Sequence, residues 1–319
     1  MELISTEPRR YPLRFNGAGS AYFAIVIVNW LLTLITLGLY YPWAKARTLR
    51  YLYGSTQFDG DHFVFSGTGK EMFVGFVKAI LLFLVLAALI FVIQAFSLYV
   101  IGLLIAYLLF FAILPLMVHG SYRYRMSRTS WRGIRFGYQG NKWELFANMM
   151  QWMLLTVVSL GVYAFWMTVN LRRFLFSNIH FGNATFVYNA SGTKYFWMCM
   201  KGYFLSIITL GIYAPWWMKD LVDFYIEHTK LEMGERKLNF KSSTTGFQIF
   251  VLMLTNLLLL IFSLGIAFPW VEMRTYKYFI DNICVDGDIN TEELVQTQAE
   301  TKDATADEMA DFFDIDFVV

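Results

Sequence analysis

Apolar residues in this chain gather into long runs that stop at Leu-Gly and restart at Pro-Trp. The phrase appears as Thr36-Leu37-Gly38-Leu39-Tyr40-Tyr41-Pro42-Trp43 and as Ser159-Leu160-Gly161-Val162-Tyr163-Ala164-Phe165-Trp166. It returns as Thr209-Leu210-Gly211-Ile212-Tyr213-Ala214-Pro215-Trp216 and as Ser263-Leu264-Gly265-Ile266-Ala267-Phe268-Pro269-Trp270. Phe23, Phe146, Phe196 and Phe250 each precede their copy by the same distance, and a Gly-containing or small polar lead-in precedes each run. Behind each Trp comes a charged, aromatic stretch, then alternating phrases such as Thr56–Gly67 that read as small β-hairpins. The pattern predicts a unit of apolar helix, Gly break, Pro-started second helix and short hairpin. Pro suits the first turn of a helix, where its missing N–H would lack a partner anyway. Such self-similarity marks one supersecondary unit used repeatedly.

A further copy lies between the first two. Pro115, Arg123, Tyr124, Thr129, Gly133, Phe136 and Gly140 align without a gap onto Pro42, Arg50, Tyr51, Thr56, Gly60, Phe63 and Gly67. Its leading Phe73 stands about one membrane span further upstream. The extra residues form two charge-free apolar stretches, about 79–96 and 100–118, each long enough to cross a hydrocarbon core of about 30 Å. The repeats run over about 15–67, 67–140, 140–192, 192–245 and 245–285. Together they make residues 1–285 one transmembrane repeat domain, and the predicted fold class is an all-α polytopic membrane bundle with small cytoplasmic β-hairpins.

Composition agrees with a membrane protein: 57% of residues are hydrophobic, 16% are charged, and mean hydropathy is +0.47. Trp43, Trp166, Trp216, Trp217 and Trp270 sit at the ends of apolar runs, as in interfacial aromatic belts. Residues 1–19 carry Arg9, Arg10 and Arg14 and no small-residue cleavage site, so no cleavable signal peptide is expected. A net charge of +2 does not call for nucleic acid.

Two topologies compete. In one, each ordinary unit crosses once and polar segments alternate sides; in the other, each unit enters and returns, with Leu-Gly at the far end. The long copy favours the second, because a hairpin lengthened in both arms keeps its ends on one side. Charge agrees. No Lys, Arg, Asp or Glu occurs in any Leu-Gly turn, whereas Lys45, Arg47, Arg50 and the Arg123–Arg135 cluster fall on the returning or connecting side. Both termini are then cytoplasmic. The short polar returning arms leave re-entrant or part-way insertion open.

The returning helices share a polar face. At the fourth and seventh positions after the Trp stand Arg47 and Arg50, Asn170 and Arg173, Asp220 and Asp223, and Arg274 and Lys277, with Arg123 at the matching place in the long copy. Positions three apart share a helical face. At membrane depth they would have to line a bundle interior or cavity; the alternative is interfacial helices whose basic residues snorkel to headgroups. The turn positions Gly38, Pro42, Trp43, Gly161, Trp166, Gly211, Pro215, Trp216, Gly265, Pro269 and Trp270 form the second candidate set. Catalytic signatures do not occur: His62, His119, His180 and His228 are scattered, Cys199 and Cys284 make no zinc pattern, and neither a Walker loop nor a nucleophile elbow is present. No enzyme activity, metal or cofactor is expected.

After Asp286 the chain becomes acidic and poor in apolar residues, and reads as a disordered tail, 286–319. Its end, Met309–Val319, alternates acids with Phe312, Phe313, Ile315 and Phe317, a pattern suited to docking on its own basic face or on a membrane-protein partner. The repeated Thr-Leu-Gly-x-Tyr-x-Pro-Trp, the Phe-x-Gly-x-Gly lead-in and the Phe-Asp-Ile-Asp-Phe ending resemble the YjgN-like family of bacterial inner-membrane proteins, over roughly residues 12–319. The resemblance implies a multi-pass inner-membrane protein and carries over no catalytic residue; Phe165 in place of Pro and Ala267 in place of Tyr depart from the pattern. Two functions follow as expectations: a channel or transporter for a small solute, or a non-transporting scaffold or accessory subunit.

Overall fold

The computed structural model describes residues 10–95, 99–234 and 236–287. The turn at Ser97 and the acidic tail from residue 288 onward lie outside the described residues. A strand, β1 (Arg10–Phe15), opens the chain, followed by α1 (Gly19–Ile35), α2 (Tyr41–Ser55), β2 (Thr56–Phe58) and β3 (Asp61–Phe65). The long pair is α3 (Gly69–Ala95) and α4 (Tyr99–Arg128), with β4 (Thr129–Trp131) and β5 (Ile134–Tyr138). Then come α5 (Lys142–Val158), α6 (Ala164–Ser177), β6 (Ile179–Phe181) and β7 (Ala184–Tyr188). The chain continues with α7 (Gly192–Ile208), α8 (Ala214–Glu227), β8 (Thr229–Met233) and β9 (Arg236–Ser242), and ends in α9 (Gly246–Phe262), α10 (Phe268–Asp281) and β10 (Ile283–Asp286).

The expectation of an all-α bundle is overturned. The strands do not stay as separate hairpins: they join edge to edge into one closed antiparallel barrel, in the order β1-β10-β9-β8-β7-β6-β5-β4-β3-β2. Each hairpin would otherwise leave two open edges of unpaired backbone groups, and closure removes all of them. The fifth helix pair is followed by only one strand, β10, and β1 supplies the missing half. β1 straddles the seam, with Arg10–Pro12 paired to β10 and Leu13–Phe15 paired to β2.

Alternation along the strands sorts the barrel's two faces. Register places Leu13 beside Phe58, Phe63 beside Trp131, Phe136 beside Phe181, Phe186 beside Leu231 and Phe240 beside Val285 on one face. Arg14, Gln57, His180, Lys230 and Lys241 take the other. The apolar face points inward, where rings meet across strands: Phe136 lies 4.5 Å from Phe181, Trp131 5.9 Å from Phe181 and Phe186 6.2 Å from Phe240. The barrel is thus filled with aromatic side chains. Toward its helical end, Tyr138 and Ile179 merge with Val118, Leu145, Met149, Leu171 and Leu175 into one core.

The helices form a matching ring, each first helix packed against the second helix of the preceding unit, with α1 against α10 closing it. One contact defines four of the five junctions. In these four, the Trp near the start of the second helix packs its ring against the Gly that opens the next first helix. A Cβ at Gly19, Gly69, Gly192 or Gly246 would come within 2.3–2.4 Å of Trp270, Trp43, Trp166 or Trp216 respectively. The leading Phe completes the contact, as Trp270 with Phe23 at 4.7 Å and Trp43 with Phe73 at 4.9 Å. At the fifth junction Leu116 stands in place of Trp and Lys142 in place of Gly, so both partners change together.

Candidate functional site

A cavity of about 1340 Å³ lies between α1, α2, α4 and α10, reaching down to Phe63 and Phe136 of the barrel. Its wall is mostly apolar, but Lys45, Glu272, Tyr22, Asn29 and Arg125 converge on it. Lys45 and Glu272 hold equivalent positions, each two residues after the Trp of its helix, with opposite charge. The Tyr22 hydroxyl donates to Glu272 Oε1 at 3.1 Å. Asn29 is buried; its amide donates to the Ala44 carbonyl at 3.1 Å while its Oδ1 has no hydrogen-bond partner. A buried acceptor left in that state carries a desolvation penalty that a donor-bearing ligand would relieve.

A second, smaller cavity of about 560 Å³ occupies the corresponding place between α4, α5 and α6, and is almost wholly apolar, with Met149, Met153 and Met167 in its wall. Arg172 closes it. The guanidinium is buried, with its Nε and Nη1 lacking hydrogen-bond partners, and stacks over the ring of Tyr225 at 3.7 Å, near Phe176 and Tyr188. A weakly hydrated, planar cation on an aromatic face is the form in which Arg tolerates burial. Burial holds the Tyr188 hydroxyl up to about 12, against the opposing pull of Arg172.

The polar-face residues are placed at the unit junctions. Arg50 donates to the Gly67 carbonyl, Arg173 to the Ala190 carbonyl and Lys277 to the Phe15 carbonyl, while Asp223 accepts from Thr244. In these four units the seventh-position charge fastens its helix to the lead-in of the next unit. Fourth-position residues lie further out: Arg274 donates to Thr255, Asn170 accepts from Arg173, Asp220 lies 3.9 Å from Lys201, and Arg47 is exposed. Arg123 holds the seventh position in α4. The structure does not gather this set at one point, and the cavity residues it does gather were not singled out in the sequence. The available signal was the charge pair at one repeat position, Lys45 and Glu272, one helical turn nearer the Leu-Gly turn than Leu49 and Tyr276.

The turn residues share one geometry. The Leu is left-handed, with φ of 51° at Leu37, 52° at Leu160, 51° at Leu210 and 50° at Leu264, and the following Gly is also at positive φ. The Gly N–H reaches back into the first helix: Gly38 to the Thr33 carbonyl, Gly161 to Thr156, Gly211 to Ser206 and Gly265 to Leu260, at 2.7–2.8 Å. The opening Thr or Ser accepts from the backbone four residues on: Thr36 from Tyr40, Ser159 from Tyr163, Thr209 from Tyr213 and Ser263 from Ala267, at 2.8–3.0 Å.

Comparison with known proteins agrees with the resemblance read from the motifs. Residues 10–190 and 217–312 match the family described as "Bacterial protein of unknown function (DUF898)". The chain is 27% identical over 184 residues to a Salmonella typhimurium protein named inner membrane protein YjgN, covering 56% of this chain and 45% of that one. It is 32% identical over 124 residues to the Escherichia coli K12 protein of the same name, covering 39% and 30%. The chain therefore spans less than half the length of these relatives. No solved structure matches it. On the extent of the family match, this chain belongs to the DUF898 family and is a YjgN-like protein.

Proposed function

We propose that this chain is a multi-pass protein of the bacterial inner membrane, built from five pseudo-repeats with both termini cytoplasmic, and that its large cavity binds and passes a small solute. The names of its relatives support the location, and the two long apolar helices, Gly69–Ile93 and Val100–Arg128, whose most apolar 18-residue windows have mean hydropathy 3.1 and 2.7, support insertion. The observation that carries the solute reading is the meeting of Lys45, Glu272, Tyr22 and the unsatisfied Asn29 oxygen in one largely apolar cavity. Few polar groups converging in an apolar concavity are the usual form of a binding site. Its test is flux of a broad solute panel into proteoliposomes, comparing wild type with Lys45→Ala combined with Glu272→Gln. A drop of at least tenfold in the double variant is expected, and unchanged flux removes the reading.

The rings that meet across strands inside the barrel favour a second reading, a non-transporting scaffold or accessory subunit. In that reading the segment 309–319 docks on the protein's own basic face or on a membrane partner. Absence of flux for every solute, with hydrogen-exchange protection around Arg123–Arg135 lost on truncation at Asp307, would favour it.

A further inference from the structure

We propose that the four Leu-Gly turns are tips immersed in the hydrocarbon of the leaflet next to the barrel, so that α3 and α4 alone cross the bilayer. The proposal rests on the membrane reading above and adds a depth to each hairpin. Its first support is the tip leucine. Leu37, Leu160, Leu210 and Leu264 are 93%, 95%, 93% and 91% exposed, and each adopts a left-handed backbone that Gly or Asn takes more easily. In water a large apolar side chain there has neither packing nor conformation in its favour; against acyl chains the side chain is the useful part. The neighbouring Leu34, Val158, Ile208 and Phe262 are exposed as well.

The second support is the backbone. Hydrocarbon offers no partner to a free N–H, so a chain reversal there has to satisfy its own. In the first turn every N–H from Thr36 to Tyr41 has an acceptor, Trp43 and Ala44 both donate to the Tyr40 carbonyl, and Pro42 occupies the one place without an N–H. The third and fourth turns repeat this accounting, with Pro215 and Pro269 at the same place. The hydroxyl of Thr36, Thr209 or Ser263 supplies the acceptor that the helix lacks, and the Thr36 and Thr209 hydroxyls themselves donate to Leu32 and Leu205. Every backbone N–H of these three turns is thus satisfied within the chain.

Depth follows from charge. The exposed fourth-position residues Arg47 and Arg274 begin six residues into α2 and α10, and Asp220 lies at the same level in α8, ~10 Å along the helix from its tip. Lys201 on α7 meets Asp220 at that level. Charges nearer the tips are turned away: Lys45 and Glu272 line the cavity, and Lys219 pairs with Asp223 at 2.8 Å. The charge-free cap is thus shallower than one leaflet, which is ~15 Å in a core of about 30 Å. α4 differs, with no Lys, Arg, Asp or Glu from Tyr99 to Tyr122, or ~36 Å.

The experiment places single cysteines at Leu37, Leu210 and Val100 in a Cys199→Ala, Cys284→Ser background of the full chain, in oriented membrane vesicles. An impermeant maleimide is added from either side. A bimane maleimide attached at the same sites is then quenched by lipids brominated near the headgroup or near the chain ends. Val100→Cys should react from the face opposite the barrel. Leu37→Cys and Leu210→Cys should react at less than a tenth of that rate from either face until detergent is added, and their bimanes should be quenched at least twofold more by the deep bromines. Reaction of a tip from the far face means full crossing, and reaction from the barrel face means no insertion; either overturns the proposal. Protection without quenching places a protein partner over the tips and overturns it too. An unreactive Val100→Cys overturns instead the membrane-crossing reading on which the proposal rests.

Discussion

The long hairpin and its four short sisters stand on the same base and differ in the length of their arms. α3 and α4 run for 27 and 30 residues, whereas the other first helices have 17 and the other second helices 14 or 15. Below the tips the units agree: each second helix packs on the second strand of the pair that follows it, with α10 on β1, and each first helix packs on its predecessor. The base is set by the barrel, which admits one register; the arm is limited only by its surroundings. The long unit also differs at its exit, where Leu116 and Lys142 replace the Trp-on-Gly contact. The longer arms and the replaced Trp-on-Gly contact therefore occur in the same unit.

The sharpest way to break the contrast is to charge a short tip. Leu210→Arg should lower stability in bilayers by about 2.5–3.5 kcal/mol, the cost of Arg deep in hydrocarbon, with a smaller loss in detergent micelles, whose thin apolar layer lets the long side chain reach water. Leu210→Asn, which suits the left-handed backbone but buries an amide, should move the same way in bilayers by a smaller amount. Thermal unfolding in both media reads the difference.

A smaller effect is expected at the junctions. Gly192→Ala drives a methyl into Trp166 and should cost about 1–3 kcal/mol of overpacking. Adding Trp166→Leu, which copies the long unit's Leu116, should recover much of the loss, whereas the same Leu in a Gly192 background should not stabilise. A double-variant cycle followed by unfolding checks the coupling. Smallest is the loss of a hydroxyl cap: Thr209→Val leaves the Tyr213 N–H without its acceptor and should cost about 1–2 kcal/mol. Infrared amide exchange at the tip would show whether water then reaches it.

Much of the unit was legible in the sequence because it is local. Gly38 and Pro42 fix the turn, and Asp59-Gly60 and Arg132-Gly133, all at positive φ, close hairpins as their types suggest. Barrel closure was not legible. Alternation says which side chains share a face, but says nothing about which strand lies alongside, and Phe65 pairs with Thr129 across the whole long hairpin. Residues 10–15 alternate as a strand does, with Tyr11, Leu13 and Phe15 on one face, but Pro12 among them lacks a ladder donor and masks the pattern. The cavity escaped for a related reason: whether Lys45 faces inward depends on how α2 is rotated against α1 and α10, which no single helix records.

The seam carried by β1 has a consequence for the order of synthesis. The strand made first pairs early through Leu13–Phe15 with β2, but Arg10–Pro12 must wait for β10, the last element of the ring to leave the ribosome. Until then the nascent sheet is an arc with an open edge at each end, and Gly19 has no Trp270 to cover it. A chain halted before α10 would present those edges to its neighbours, and the natural remedy for an arc missing one piece is to borrow it from a second copy.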